Sequence, residues 1–249
     1  MAEIRYALIQ ARAPGDLARV EEHDAFAARL GTSPDRLVPV DIFSQPLDAR
    51  LYEQFDVMLV GGSGEYSVLD DDPHIKRFID FLGEAADHGM PTFASCFGFQ
   101  ALVLALGGEV ISDQPRAEVG SYTLSRSPEG AADPLFETMP DTFIAQLGHK
   151  DRATRLPDSV VHLASSERCP HQALRVEGKP VYATQFHPEL TWLDNRKRFE
   201  RYMDIYGKLF GRQEAIERLE SHRPGPEANT LIQSFVDRVA IPAISGEGT

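Results

Sequence analysis

The sequence predicts an α/β protein with three layers: a mostly parallel central sheet, helices on both faces, and a small antiparallel excursion. Two observations point there. From residue 4 to about residue 108, apolar strand-like runs alternate with segments of helical spacing, the pattern of parallel βαβ units. Between about residues 118 and 185, short strand-like runs follow one another with Gly, Pro, Asp and Ser between them.

Ile4–Ile9 reads as the first strand. Asp16 can cap a helix running to about Leu30, with Leu17, Val20, Ala27 and Leu30 at helical spacing and Gly31 ending it. Leu37–Ile42 is a second strand, which Pro39 moves towards an edge. Asp56–Val60 is a third and stops at Gly61-Gly62-Ser63-Gly64. Pro73 suits the first turn of a helix whose apolar positions are Ile75, Phe78, Ile79 and Leu82, closed by Gly89. Pro91–Ser95 is a short buried strand and Phe97–Leu106 an apolar helix. The middle strands are Glu118–Arg126, Thr142–Gln146, Val160–Ala164, Ala173–Val176 and Val181–Gln185. A long amphipathic helix over about Leu193–Phe210 follows, then helical patterns near Arg212–Ser221 and Glu227–Val239, separated by His222-Arg223-Pro224-Gly225-Pro226.

The chain has 249 residues, 42% hydrophobic and 25% charged, enough to bury a sizeable core without disulfides or metals. Its net charge of −13 argues against nucleic acid or an anionic membrane as the main partner, since both reward clustered Lys and Arg. Cys96 and Cys169 are too few for a disulfide scaffold and form no C-x-x-C pair. Met1–Arg5 lacks the features of a signal peptide, and no apolar run is long enough for a membrane span, so a cytoplasmic location is expected.

The sharpest chemical feature is Phe93-Ala94-Ser95-Cys96-Phe97-Gly98-Phe99-Gln100. One cysteine lies between an apolar strand and an apolar helix, with small residues two positions away on each side. That is the pattern of a nucleophile elbow, where bulky neighbours would clash. A helix starting there favours the thiolate and offers Phe97 N–H to an oxyanion. Taken alone, the segment fits a buried structural cysteine equally well. A second signal decides between them: Tyr182–Glu189 is a strand ending in His187-Pro188-Glu189, a base and the carboxylate that can fix its tautomer. A third is Gly61-Gly62, either a plain turn or a backbone cradle with Gly62 N–H as second oxyanion donor.

The set Gly61-Gly62, Cys96–Gln100 and His187-Pro188-Glu189 resembles the class I glutamine amidotransferase family over about residues 4–210. Gly148-His149-Lys150-Asp151-Arg152, with Leu156-Pro157, and Ala164–Pro170 are similar to stretches in the amidotransferase part of GMP synthase. The resemblance implies a flavodoxin-like fold and a Cys96-His187-Glu189 triad working through a γ-glutamyl thioester. It implies an oxyanion hole from the Gly62 and Phe97 amides, and substrate contacts from Gly61, Gln100 and the backbone at Gly148-His149. Glu118 falls in a structural Glu-x-Gly turn. No metal and no cofactor are implied. Two departures stand out: Ala94 replaces the usual glycine before the nucleophile, and Gly148 replaces a small polar residue.

Other candidates read as structural. His23, His74, His88, His162, His171 and His222 have no metal-ligand spacing, and Asp70-Asp71-Asp72 suits a helix start. Trp192 is expected to pack the last long helix, and Cys169 to be inert. Three functions are in play: an amidotransferase subunit supplying ammonia to a separate synthase, a free-standing γ-glutamyl hydrolase, and a non-catalytic regulatory paralogue. The expected organisation is a catalytic domain over residues 1–210 and a helical extension over 211–249, too short for a fused synthetase module.

Overall fold

The computed structural model describes residues 4–246; Met1–Glu3, part of the presequence expectation, and the last three residues of the 211–249 segment lie outside them. The parallel half of the main sheet comprises β1 (Tyr6–Gln10), β2 (Leu37–Asp41), β3 (Val57–Val60) and β4 (Thr92–Ser95). Between these strands run α1 (Ala18–Arg29), α2 (Arg50–Gln54) and α3 (Pro73–His88), and α4 (Phe97–Ala105) follows β4. Then come β5 (Glu109–Ser112), β6 (Glu118–Arg126), α5 (Pro128–Ala131), β7 (Thr142–His149), β8 (Asp151–Arg155), β9 (Val160–Ser166), β10 (Ala173–Val176) and β11 (Val181–Thr184). The chain ends in α6 (Trp192–Arg201), α7 (Met203–Phe210), α8 (Arg212–Glu220) and a helical run from Leu231 to Ser245.

The main sheet has nine strands in the order β2-β1-β3-β4-β11-β10-β9-β6-β7. Strands β2, β1, β3, β4 and β11 pair in parallel, and β11, β10, β9, β6 and β7 pair antiparallel. The α/β class holds, with the antiparallel strands extending the central sheet itself. A two-stranded sheet of β5 and β8 is an addition that the sequence pattern did not reveal. Pro39 sits in β2, the edge strand, where a missing N–H costs no ladder bond to an outer neighbour.

Alternation along the strands builds the three layers. Ala7, Ile9, Met58, Val60, Ala94 and Ala183 face a core shared with α3 and α4. Leu8, Val57, Leu59, Phe93 and Tyr182 face a second core, shared with α1 and the C-terminal helices. Phe235 in the last run packs edge-on against both Phe93 and Tyr182, with ring centroids 5.5 and 5.9 Å apart. Leu231, Ile232, Phe235, Val236 and Ala240, within the expected extension, are thus part of this second core.

Two helices depart from their sequence reading. In α1, Leu17 and Val20 are 66% and 62% exposed, while Ala18, Glu22, Phe26 and Ala27 face inwards. A buried carboxylate occupies the inner stripe because it has partners there, and the helix turns accordingly. Asp16 does hold its start, Oδ1 accepting from Ala18 N–H at 2.9 Å. The long helix expected over Leu193–Phe210 is broken at Tyr202, whose ψ of 17° ends α6 and starts α7. Elsewhere caps fall as expected: Asp72 accepts from His74 N–H at 2.7 Å at the start of α3, and Gly89 closes it at φ 81°.

Candidate active site

The C-terminal ends of β1, β3, β4 and β11 lie side by side, so the loops after them converge on one region of the sheet edge. Cys96 follows β4 with φ 52° and ψ −99°, the only positive φ at a non-glycine among the described residues. Such a backbone costs about 1–3 kcal/mol and persists only where its surroundings impose it. Here Cys96 N–H donates to Thr184 O at 2.8 Å and Cys96 O accepts from Gln100 N–H at 3.1 Å, pinning the turn between β11 and α4. A Cβ at Gly98 would lie 2.6 Å from Val60 Cγ1 and 3.0 Å from Ala94 Cβ. Because Gly98 keeps its side of this contact empty, the extra methyl of Ala94 is accommodated. As the first residue of α4, Phe97 has an N–H with no acceptor inside the helix.

His187 lies beyond β11, and its N–H donates to Gln146 O of β7 at 2.8 Å. Its Nδ1 is 2.6 Å from Glu189 Oε1, and both side chains are buried. Burial pulls the His187 pKa down most strongly. The negative charges of Glu189 and Cys96 outweigh it and raise the pKa to about 10. Cys96, His187 and Glu189 thus form a chain of neighbours, the protonated imidazole hydrogen-bonded to Glu189 and close to the cysteine. Such a chain can carry out nucleophilic acyl transfer.

The Gly61-Gly62 segment differs from expectation. Gly62 borders the chain just described: a Cβ there would lie 2.9 Å from His187 Cε1 and 3.5 Å from Cys96 Cβ. Its N–H, however, is not free for an oxyanion. It donates to Glu22 Oε1 at 3.0 Å. Glu22 is fully buried and also accepts from Arg12 Nη2 at 2.7 Å and Gln10 Nε2 at 3.0 Å. Burial pushes the Glu22 pKa up, but Arg12 more than offsets this and holds the carboxyl below its ordinary value. Gly61 does not face outwards as a substrate contact; its N–H continues the sheet to Ile9 O at 3.1 Å. A Cβ on Gly61 would sit 2.5 Å from Glu22 Cδ. Gly61→Ala should therefore destabilise the fold by about 1–3 kcal/mol, measured as a lower urea midpoint at unchanged slope.

The polar residues near Cys96 also rearrange the expected roles. Gln100 Nε2 donates to Asp151 O at 2.7 Å and to Gln185 Oε1 at 3.2 Å, so its amide nitrogen is committed within the protein. Gln185 Nε2 donates to Cys96 Sγ at 3.8 Å. Gln185 had no role in the sequence reading; the available signal was an amide at the end of the strand, two residues before His187. The His149 ring is not available to a ligand either. Its Nδ1 meets Asp151 O at 3.0 Å and its Nε2 meets Glu118 Oε2 at 3.1 Å. Glu118 is structural, as read, accepting from Ser166 and Gln172 as well. Gly148 remains at the site as exposed backbone, its would-be Cβ 3.9 Å from His187 Nε2.

Cys169 lies apart from this group, buried, its thiol pushed up to about 11 by burial. Trp192 opens α6 behind a Thr191–Asp194 capping box. No helix among the described residues is long and apolar enough to cross a membrane.

A mostly parallel sheet with helices on both faces, a positive-φ cysteine after β4 and a His187–Glu189 pair beyond the neighbouring β11 define an α/β class of protein with these three residues gathered at one sheet edge. The sequence comparison makes this specific: the glutamine amidotransferase class-I family model matches residues 35–201, and the chain belongs to that family. A subunit of the glutamine-hydrolysing GMP synthase of Methanocaldococcus jannaschii is 33% identical over 123 residues, which are 49% of this chain and 63% of the relative. The GMP synthase of Thermosipho melanesiensis is 35% identical over 136 residues, 54% of this chain but only 24% of that protein. In fold, the chain is similar to a glutamine amidotransferase of Thermotoga maritima, with a TM-score of 0.70 at 21% identity over 96% of this chain and 99% of that one. A glutamine amidotransferase of Methylobacillus flagellatus gives a TM-score of 0.70 at 22% identity, over 98% and 96% of the two chains.

Proposed function

We propose that this chain hydrolyses the side-chain amide of glutamine and supplies the ammonia to a separate synthase, as the amidotransferase component of a GMP synthase-like pair. Cys96 is the nucleophile. Its sulfur attacks the amide carbon, forming a tetrahedral oxyanion that Phe97 N–H stabilises. His187 gives its proton to the departing nitrogen, the C–N bond breaks, and ammonia leaves a γ-glutamyl thioester on Cys96. His187, now neutral, takes a proton from water, whose oxygen attacks the thioester. Glutamate leaves, and the free cysteine sulfur and protonated His187 are regenerated. Glu189 keeps His187 in the required tautomer and stabilises its charge. Gln185 orients the sulfur, and the backbone at Gly148 borders the substrate.

The observation that carries this proposal is the Cys96 turn at φ 52° facing a His187 held 2.6 Å from Glu189. The similarity to one subunit of a GMP synthase supports an ammonia acceptor on a separate chain. A second function, a free-standing γ-glutamyl hydrolase, is favoured by one feature: Gly148 carries no side chain beside His187, and a Cβ there would have only His187 Nε2 within 4 Å. Purified chain assayed on glutamine, γ-glutamyl peptides and γ-glutamyl amines separates the two. Efficient peptide cleavage with inert glutamine overturns the amidotransferase proposal. Slow glutamine turnover that rises strongly with a synthase partner overturns the free-standing one.

Gly148 has no strained φ and no close neighbour, so Gly148→Ser fits without repacking. It should restore a polar contact to glutamine and lower KM about fivefold at unchanged kcat, the size of one net hydrogen bond. Steady-state kinetics of ammonia release would check this.

A further inference from the structure

The cysteine and its His–Glu pair are assembled, yet the amide beside them is turned away. Gly62 borders the pair, with its would-be Cβ 2.9 Å from His187 Cε1 and 3.5 Å from Cys96 Cβ. Its N–H points instead to α1 and donates to Glu22 Oε1 at 3.0 Å. Glu22 is fully buried, and Arg12 Nη2 and Gln10 Nε2 hold it in place at 2.7 and 3.0 Å. Burial opposes its charge, but Arg12 outweighs the burial, so the acceptor stays ionised at neutral pH.

The other end of the same peptide unit is loosely held. Gly62 N–H and Gly61 O lie in one plane and turn together. No backbone N–H among the described residues donates to Gly61 O. Glycine on both sides leaves the rotation sterically open. The bond to Glu22 is therefore what sets the direction of this amide.

An oxyanion donor acts only when aimed at the developing charge, and one such donor is worth about 10²–10³ in kcat. A carboxylate is a stronger acceptor than the neutral carbonyl of a bound amide substrate, so the substrate does not draw Gly62 N–H from Glu22. The tetrahedral oxyanion carries a full charge and competes for it. Glu22 thus acts against the transition state and leaves substrate binding alone.

We propose that Glu22 is a restraining residue: it holds the Gly62 amide away from the reacting carbonyl and keeps the chain in a slow resting state, which rotation of the Gly61–Gly62 peptide relieves. This regulation rests on the proposed function, because the oxyanion belongs to that reaction.

The contact and its consequence are read separately. Glycine labelled with carbon-13 at the carbonyl and nitrogen-15 at the amine gives carbonyl-correlated amide signals only where glycine follows glycine, at Gly62 and Gly108. Two variants are compared with the parent chain. Glu22→Gln removes the charge; Glu22→Asp keeps a charge for Arg12 but is one methylene shorter. Circular dichroism identifies the folded variants. In them the Gly62 signal is expected to move upfield and exchange faster with solvent, while Gly108, bonded to Val103 O, stays in place. On the same preparations, kcat for ammonia release from glutamine is expected to rise at least tenfold at unchanged KM, an effect opposite to that of structural damage. A folded variant with a moved Gly62 signal and an unchanged or lower kcat overturns the proposal and leaves the Cys96 mechanism standing. A Gly62 signal that stays in place also overturns it. Turnover that appears only in the variants supports it. If Cys96 is inert to glutamine and to a diazo-ketone analogue in every form, the proposed function falls, and this proposal with it.

Discussion

Cys96→Ala is expected to reduce glutamine turnover about 10⁴-fold or more while the chain stays folded. Without sulfur there is no thioester path, and the remaining oxyanion and binding groups supply only residual catalysis. The fold should survive, because the turn is held by backbone bonds to Thr184 and Gln100 that do not involve the sulfur. Ammonia release and thermal unfolding, measured on the same preparation, check both halves. Cys169→Ala is the matched control: that thiol is raised to about 11 and lies apart from the His187–Glu189 pair, so turnover should be unchanged.

His187→Gln should cost about 10³- to 10⁴-fold in turnover, since the chain loses both the proton donor for the leaving nitrogen and the base for water. The pH profile carries the sign of the same claim. With its pKa raised to about 10, His187 keeps its proton at neutral pH and loses it as pH rises through that value. The kcat/KM of the unaltered chain should therefore fall on an alkaline limb near pH 10. Glu189→Gln removes a charge that raises the His187 pKa, so its limb should move to lower pH. An alkaline limb that stays in place in Glu189→Gln would assign the titration to another group.

Much of the fold and of the core site was legible in the sequence because both depend on local patterns. Strand alternation, the Asp72 and Gly89 caps, and the small residues around Cys96 are all short-range signals. What was not legible depends on contacts across the fold. The inner stripe of α1 held at Ala27 and Leu30 but not at Leu17 and Val20, because Glu22 looks like a surface residue until Arg12, Gln10 and Gly62 N–H are brought to it from other elements. The same pairing removed Gly62 N–H from its expected role. Gln100 was expected near substrate, yet its amide nitrogen goes to Asp151 O and Gln185, partners far along the chain; the His149 ring, of which only the backbone was assigned to substrate, is held by nearby Asp151 O and by Glu118. The C-terminal segment reads in sequence as a helical extension, because nothing local shows that Phe235 packs against both Phe93 and Tyr182.

Peptide mass spectrometry of the chain after exposure to a diazo-ketone analogue of glutamine probes the nucleophile itself. The expected result is a single adduct per chain, on the peptide containing Cys96, with Cys169 unmodified and adduct formation strongly slowed in His187→Gln. A chain that turns over glutamine while Cys96 stays unmodified, or an adduct on Cys169 alone, would contradict the assignment of Cys96 as the catalytic thiol.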